Sequence, residues 1–542
     1  MHADRLAEIE DELKESYRNR RCFCIVSHPD AGKTTLTEKL LLYGGAIHEA
    51  GTVKARKASR YATSDWMEIE KQRGISVTSS VLQFDYQGYR VNLLDTPGHH
   101  DFSEDTYRVL TAVDSALMVV DGAKGVEEQT KKLMKICSDR KIPVLTFVNK
   151  FDRECRNPLE LLDEIEAVLG IQATPITLPV NSGKTFRGIY HLYKKEFYPF
   201  VANTDRDECF PVSGWDDPQW KSWLDDDELS QLKDQAELAL GVYPEMSQEA
   251  LWQGRLTGVY FGSALNNFGV EVLLREFCHW APEPQARFAT ERLVEPSEPN
   301  FSGFVFKIQA NMDQRHRDRI AFVRVCSGSF SKGDEVFHTR LERNLKISNT
   351  FQFLASKRVQ AEMALAGDIV GVYDTGSFRV GDTISSKEKL SFLGIPNFAP
   401  EIFQRVVLKS PLKSKQLRKG LDQLCEEGAS QVFFPQNSND IIIGVVGQLQ
   451  FEVIRHRLEH EYSVDARFES CAFKISRWVF SKEGQESKFD AALNELSKSY
   501  DVVLSKDSED RWAVLISSQY ALNKALERYP DLHFAETSER ML

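Results

Sequence analysis

A chain of 542 residues is long enough for about three domains, each with its own core. Hydrophobic content of 42% and charged content of 27% are ordinary for a soluble globular protein. The net charge of −12 is mostly local, because the stretch from Thr204 to Ala250 holds 13 acidic and 3 basic residues.

Met1 to Arg21 is charged throughout and has no apolar h-region, so no signal peptide is expected. No apolar run approaches the ~20 residues of a membrane helix, and no membrane partner is expected. The nine cysteines are odd in number, scattered and without a C-x-x-C pair. That usage fits reduced thiols in a cytoplasmic protein, not a disulfide frame or a zinc site.

Cys22 to Val26 is an apolar strand that runs into Ser27-His28-Pro29-Asp30-Ala31-Gly32-Lys33-Thr34-Thr35, and Lys33 to Tyr43 has helical spacing. Val81 to Tyr86 and Arg90 to Leu94 read as strands around the turn Gln87-Gly88. Ser115 to Val120 and Val144 to Val148 are continuous apolar strands, as in a sheet covered on both faces. Helical segments start near Val126 and Pro158. This rhythm predicts a doubly wound, mostly parallel sheet with its ligand at the carboxyl ends of the strands.

Four motifs fall at such strand ends, in one order. In the first, backbone N–H groups and a helix N-terminus can surround phosphate oxygens. Gly32 permits close approach, Lys33 supplies a point charge to the β/γ-phosphates, and Thr34 offers a hydroxyl to Mg²⁺. The first Gly usual in this pattern is Ser27 here. In the second, Asp95-Thr96-Pro97-Gly98-His99, the carboxylate can hold the water shell of Mg²⁺ and the Gly98 N–H can sense a γ-phosphate. The third, Asn149-Lys150-Phe151-Asp152, offers a carboxylate to the N1–H and amine donors of guanine, a pair adenine lacks. The fourth, Ser263-Ala264-Leu265, closes over O6. Together they predict a GTPase that binds GTP or GDP with Mg²⁺.

About 110 residues separate Asp152 from Ser263, so an insertion carrying the acidic stretch is expected. Pro282, Pro284, Pro296 and Pro299 mark a stiff linker. Alternating segments (Phe304 to Ile308, Ile320 to Val325, Glu335 to His338) with the turn Lys332-Gly333-Asp334 read as a β-barrel. From Phe403 the expected order is strand, helix Leu412 to Cys425, strand Gln431 to Phe434, strand Ile441 to Val446 and helix Leu449 to Glu459, a split βαβ arrangement. The predicted architecture is therefore multidomain: an α/β P-loop GTPase domain (1–290, insertion about 171–258), a β-barrel (300–394) and an α+β C-terminal domain (400–542). Two basic groups are candidates for phosphate contacts: Arg405, Lys409, Lys413, Lys415, Arg418 and Lys419, and Arg315, His316, Arg317 and Arg319.

The stretches Ser27 to Leu42, Ser64 to Ser76, Asp95 to Asp114 and Gly303 to Phe322, with Ile395-Pro396-Asn397-Phe398-Ala399-Pro400, resemble the bacterial peptide chain release factor 3 family. These are class II release GTPases related to elongation factor G. The resemblance implies ribosome-stimulated GTP hydrolysis that recycles class I release factors after peptide release. It implies that His99 orients the attacking water and that Ser76, in Arg73-Gly74-Ile75-Ser76, takes the Mg²⁺-binding place of the family's Thr. His100 carries no role known in that family. Partners implied are rRNA and ribosomal proteins, with a monomer off the ribosome, and guanosine tetraphosphate as a competing ligand. Two alternatives are an elongation factor G-like or ribosome-protection GTPase acting on tRNA, and a scaffold without useful hydrolysis. With the last residue at Leu542, no room is expected for the two further domains of elongation factor G.

Overall fold

Ser115–Asp121 and Val144–Asn149 have every residue buried, because helices cover both faces of the sheet they belong to. The computed structural model describes residues 16–46, 70, 76–202, 207–310, 319–354, 357–393, 399–482 and 486–538. Among these, no helix is long and apolar enough to cross a membrane.

The central sheet runs in the order Ser80–Tyr86, Tyr89–Asp95, Arg20–Ser27, Ser115–Asp121, Val144–Asn149, Leu256–Phe261, Gln172–Pro175. The first pair is antiparallel and the remaining pairs are parallel. Helices Lys33–Tyr43, Ser103–Ala112, Glu128–Asp139, Pro158–Leu169 and Val270–Trp280 connect and flank these strands. Cys22 and Cys24 fill the core between strand and helices.

After Pro175 the chain builds a separate four-stranded antiparallel sheet (Thr177–Val180, Gly188–His191, Glu196–Pro199, Phe210–Pro211). Tyr190, Phe197, Trp220 and Trp223 pack on one another over it. The helix Asp226–Val242 follows, and its capping box explains where it starts. The Asp225 side chain accepts from the Glu228 N–H at 2.8 Å, and the Glu228 carboxylate accepts from the Asp225 N–H at 3.2 Å. Asp226, Asp227, Asp234 and Glu237 of this helix are exposed, while Glu228 turns inward to Asn181 and Arg187.

The β-barrel is built around Ser302–Ala310 and Arg319–Ser327, which pair antiparallel and are buried along their whole length. Ile369–Tyr373, Thr350–Leu354, Thr383–Ser385 and Glu335–His338 complete it. It is fastened to the GTPase domain by buried polar contacts. Arg324 donates to Asp114 at 2.6 Å, and Arg287 reaches the other Asp114 oxygen at 3.1 Å. Gln83 donates to the Ile369 carbonyl at 3.0 Å, and Asn92 to Asp368 at 3.2 Å. Breaking such a buried pair on one side leaves an uncompensated charge, at a cost of about 3–5 kcal/mol. These contacts tie the barrel to the GTPase domain in the arrangement seen.

The C-terminal region goes beyond the expected split βαβ. Ile402–Leu408, Ser414–Glu426, Gln431–Pro435, Ile441–Val445, Gln448–His460 and Ala466–Ser470 form one βαββαβ unit. Ile475–Ser481, Phe489–Leu496, Val502–Asp507, Trp512–Ile516, Gln519–Arg528 and Leu532–Ala535 form a second with the same order of elements. The antiparallel pair of Gln431–Pro435 with Val502–Asp507 joins them into one eight-stranded sheet.

Candidate nucleotide site

The phosphate loop bends where the sequence permits it. Asp30 and Gly32 have φ of 65° and 100°, the left-handed region that favours short polar residues and glycine. Gly32 is also required by space, since a Cβ there would lie 2.3 Å from Asn149 Nδ2. Ser27 is buried, and its hydroxyl donates to the His28 carbonyl at 2.9 Å. Pro29 faces the second motif, with its Cα 3.6 Å from where a Gly98 Cβ would stand. Thr34 and Thr35 are half-buried in the first turn of the helix Lys33–Tyr43.

Lys33 Nζ donates to Asp95 Oδ1 at 2.5 Å, and both side chains are buried. The other oxygen, Asp95 Oδ2, is buried and accepts no hydrogen bond among the described residues. An orphaned carboxylate oxygen beside a lysine and a glycine cradle is a fitting place for a hard cation and phosphate. Thr96 is held below by its hydroxyl, which donates to the Ile25 carbonyl at 2.7 Å, and Pro97 accepts from Thr106.

The two guanine motifs meet each other and the phosphate loop. Asn149 Nδ2 donates to the Ala31 carbonyl at 2.9 Å. Its Oδ1 accepts from the Lys150 and Ala264 N–H groups, each at 2.8 Å. Lys150 has φ of 77° and extends its ammonium to Asp121 at 2.7 Å and to the Asp30 carbonyl. The Ser263 hydroxyl donates to Asp152 Oδ1 at 2.5 Å, and Leu265 is exposed at the rim. Asn149, Lys150, Asp152 and Ser263–Leu265 are thus brought together against the phosphate loop.

Three family models match the chain. The elongation factor Tu GTP binding domain matches residues 18–283, elongation factor G domain 2 matches 300–387, and the C-terminal domain of class II release factor RF3 matches 392–526. The chain belongs to the translational GTPases, which hydrolyse GTP. The three domains together fit a member of the release factor 3 type. A crystal structure of a Thermus thermophilus protein superposes with a TM-score of 0.69 at 21% identity, covering 89% of this chain and 78% of that one. At that identity the likeness is one of fold.

In this translational GTPase, His99 and Ser76 stand beside the nucleotide motifs in different ways. His99 is half-buried at the start of a short 3-10 turn, with Nδ1 accepting from the Asp101 N–H at 3.2 Å. His100 is exposed and stacks on His99 with ring centroids 4.5 Å apart. Ser76 is half-buried, and Arg73, Gly74 and Ile75 lie outside the described residues.

Sequence reasoning missed several members of this neighbourhood. Asp121 closes the strand Ser115–Asp121 and seats Lys150. Burial alone would raise its carboxyl, but hydrogen bonds from Lys150 and the Ala123 N–H outweigh that and hold it below its usual range. Its only signal was a charge at the end of an apolar run. Glu127 approaches His28 Nε2 at 3.2 Å across the loop. Glu70 accepts from the Val77 and Thr78 N–H groups at 2.9 and 3.2 Å and so anchors the chain just after Ser76.

The expected basic surfaces are only partly available. Arg319 is buried between Asp374 and Glu426 and holds the barrel to the C-terminal domain, so it is not a phosphate contact. Arg315, His316 and Arg317 lie outside the described residues. In the other group, Arg405 pairs with Glu469, Lys409 with Asp465 and Arg418 with Asp422. Lys415 and Lys419 are exposed, and no ion pair is recorded for them among the described residues.

Proposed function

We propose that this chain is a ribosome-dependent GTPase of translation termination, acting in the cytoplasm, which dissociates class I release factors from the ribosome after peptide release. The observation that carries this reading is where the C-terminal domain sits. Val77, just after Ser76, and Phe102, just after the Asp95–His99 motif, pack into one apolar cluster with Val453 and Leu449 of the helix Gln448–His460. Arg108, further along the helix that follows Phe102, donates to the Gly428 carbonyl at 3.2 Å. The domain matched to class II release factors therefore rests on the two segments that a γ-phosphate would order.

Within that reading the backbone N–H groups of residues 28–35 and the Lys33 ammonium bind the phosphates. Asp152 selects guanine, Ser263 holds Asp152 in place, Asn149 ties the base-reading segments to the phosphate loop, and Ser263 to Leu265 close over the base. Gly98 senses the γ-phosphate and His99 orients the attacking water. Mg²⁺, held through Thr34, Ser76 and Asp95, would supply charge neutralisation between the β- and γ-phosphates. GDP occupies the same slot, and guanosine tetraphosphate competes there. The rRNA and ribosomal proteins of the factor-binding region are the macromolecular partners.

The test is the lifetime of a labelled class I release factor on ribosomes after peptide hydrolysis, measured with this protein and GTP. A shortened lifetime with tRNA left in place supports the reading. Movement of tRNA with an unchanged release-factor lifetime would replace it by an elongation-type function.

A further inference from the structure

Asp101 is a carboxylate with a partner at each end. It lies between the expected water-orienting His99 and the C-terminal domain, and its side chain is only 4% exposed. Oδ1 lies 3.2 Å from His99 Nδ1 and 2.8 Å from His100 Nε2. Oδ2 accepts the Leu449 N–H at 2.7 Å, in the first turn of the helix Gln448–His460 and 348 residues away in sequence. A charge-assisted bond at a helix N-terminus satisfies an otherwise orphaned N–H and meets the positive end of the helix dipole.

The approach depends on a missing side chain. Gly447 stands before that helix, and a Cβ there would come within 2.1 Å of Asp101 Cγ and 2.5 Å of its Cα. Only glycine lets the switch residue reach the helix end. At the other end both Asp101 contacts fall on one ring nitrogen of His99. A neutral ring accepts the Asp101 N–H at Nδ1, and a protonated ring donates from Nδ1 to Oδ1. In either form Nε2 is the nitrogen left for water.

We propose that Asp101 is a positioning residue that makes the placement of the His99 imidazole depend on the docking of the C-terminal helix Gln448–His460. When that helix is seated, Oδ2 is fixed by the Leu449 N–H, and Oδ1 is thereby aimed at His99. When the domain moves away, the carboxylate loses that anchor, and the ring keeps only the Asp101 backbone N–H and the His100 stack as references. Hydrolysis is then gated by the position of the domain that matches class II release factors. The inference rests on the role of His99 in the reading above.

The test uses the full chain with 15N-labelled histidine. Leu449→Pro removes an N–H that has no acceptor within the helix, being in its first turn, and it touches neither nucleotide nor His99. Leu449→Ala keeps the N–H and controls for the lost side chain. Leu449→Pro and Asp101→Asn should each shift the His99 ring-nitrogen signals and lower single-turnover hydrolysis on ribosomes. A misplaced catalytic group typically costs on the order of 100-fold. Affinity for GDP should stay within about twofold, and the double variant should be no slower than the slower single one, as expected of residues acting through one link. Leu449→Ala should keep the parental ring signals. Unchanged His99 signals in Leu449→Pro, or losses that multiply in the double variant, would overturn the proposal. Full hydrolysis in a parallel His99→Ala variant would instead remove the reading it rests on, while the ring-signal test of the Asp101 link would stand.

Discussion

Lys33 Nζ and Asp95 Oδ1 lie 2.5 Å apart, joining the phosphate loop to the second nucleotide motif across 62 residues. The pair is buried, and its charges compensate each other within a low-dielectric pocket. Lys33 is thus held against the second motif, and Asp95 keeps one buried oxygen without a hydrogen-bond partner among the described residues.

Lys33→Ala should weaken GTP and GDP binding, and it should also leave Asp95 buried without its counter-ion. A lost charge-assisted contact is worth about 1.5–3 kcal/mol, roughly 10- to 150-fold in affinity. Calorimetric titration of nucleotide checks the first effect, and a lowered melting temperature of the nucleotide-free protein checks the second. Parental affinity in this variant would remove Lys33 from the phosphate site.

Asp152→Asn should move preference from guanine toward xanthine nucleotides, whose carbonyl offers an acceptor to the new amide. The Ser263 hydroxyl, 2.5 Å from Asp152 Oδ1, can bond either side chain, so the slot should keep its shape. Competition binding of GTP, XTP and ATP decides this, and an unchanged order of preference would contradict the base-reading role of Asp152.

The local geometry of the candidate nucleotide site was legible because its signals are short-range. Glycine at a left-handed position, a lysine starting a helix and acids ending apolar strands can all be read within about ten residues. The helix Lys33–Tyr43 has the same limits in sequence pattern and structure. What escaped was either long-range or short-period. Asp101 with Leu449 and Arg324 with Asp114 are joined across 348 and 210 residues, with no pattern to announce them. The second βαββαβ unit escaped because its helix Phe489–Leu496 spans barely two turns and its strand Leu532–Ala535 has four residues. Too few residues lie on each face there to fix a period. The basic cluster misled in part, since Glu469 on the strand Ala466–Ser470 and Asp465 just before it neutralise cations that look free in sequence.

Stability should depend on pH through Asp207, beside the fourth motif. Its Oδ2 accepts the Gly269 N–H at 2.9 Å. Burial pushes its carboxyl up to about 7, the Gly269 hydrogen bond opposes this, and Glu271 adds to the rise. The folded protein therefore binds more protons than the unfolded chain between about pH 4 and about pH 7, so this group's contribution to stability falls as pH rises through that window. Asp207→Asn keeps the bond and removes the titration. Its melting temperature should fall less than the parent's between about pH 5 and about pH 8. Equal slopes would show that Asp207 does not titrate there.

Charge reversal should discriminate within the basic surface. Lys415→Glu with Lys419→Glu should weaken ribosome binding and flatten its dependence on salt, since each lost phosphate contact lowers the log–log slope by about 0.7–0.9. Lys409→Glu should do less, because Asp465 already neutralises that ammonium. Neutralising Asp225, Asp226 and Asp227 on the inserted helix should leave rRNA affinity intact or raise it. Binding measured over a salt series separates these outcomes, and effects that track only the sign and size of each change in charge would point to net charge alone.

The apolar seat of the C-terminal helix should be needed for release-factor departure but not for nucleotide binding. Phe102 and Val77 bury against Val453, so a nucleotide-dependent shift in either segment would be passed to a domain with its own core as a rigid-body change. Coupling of that kind typically amounts to about 1–3 kcal/mol, roughly 5- to 150-fold in a dissociation constant. Val453→Asp places a charge in the cluster and should break the seat, with Val453→Ala as the milder case. GTP affinity should be unchanged in both, because no nucleotide motif touches Val453. On ribosomes that have released their peptide, the parent with GTP should shorten the stay of a class I release factor, Val453→Ala should do so less, and Val453→Asp should fail. If Val453→Asp expelled the factor as fast as the parent, the signal would have to pass by another route than this helix.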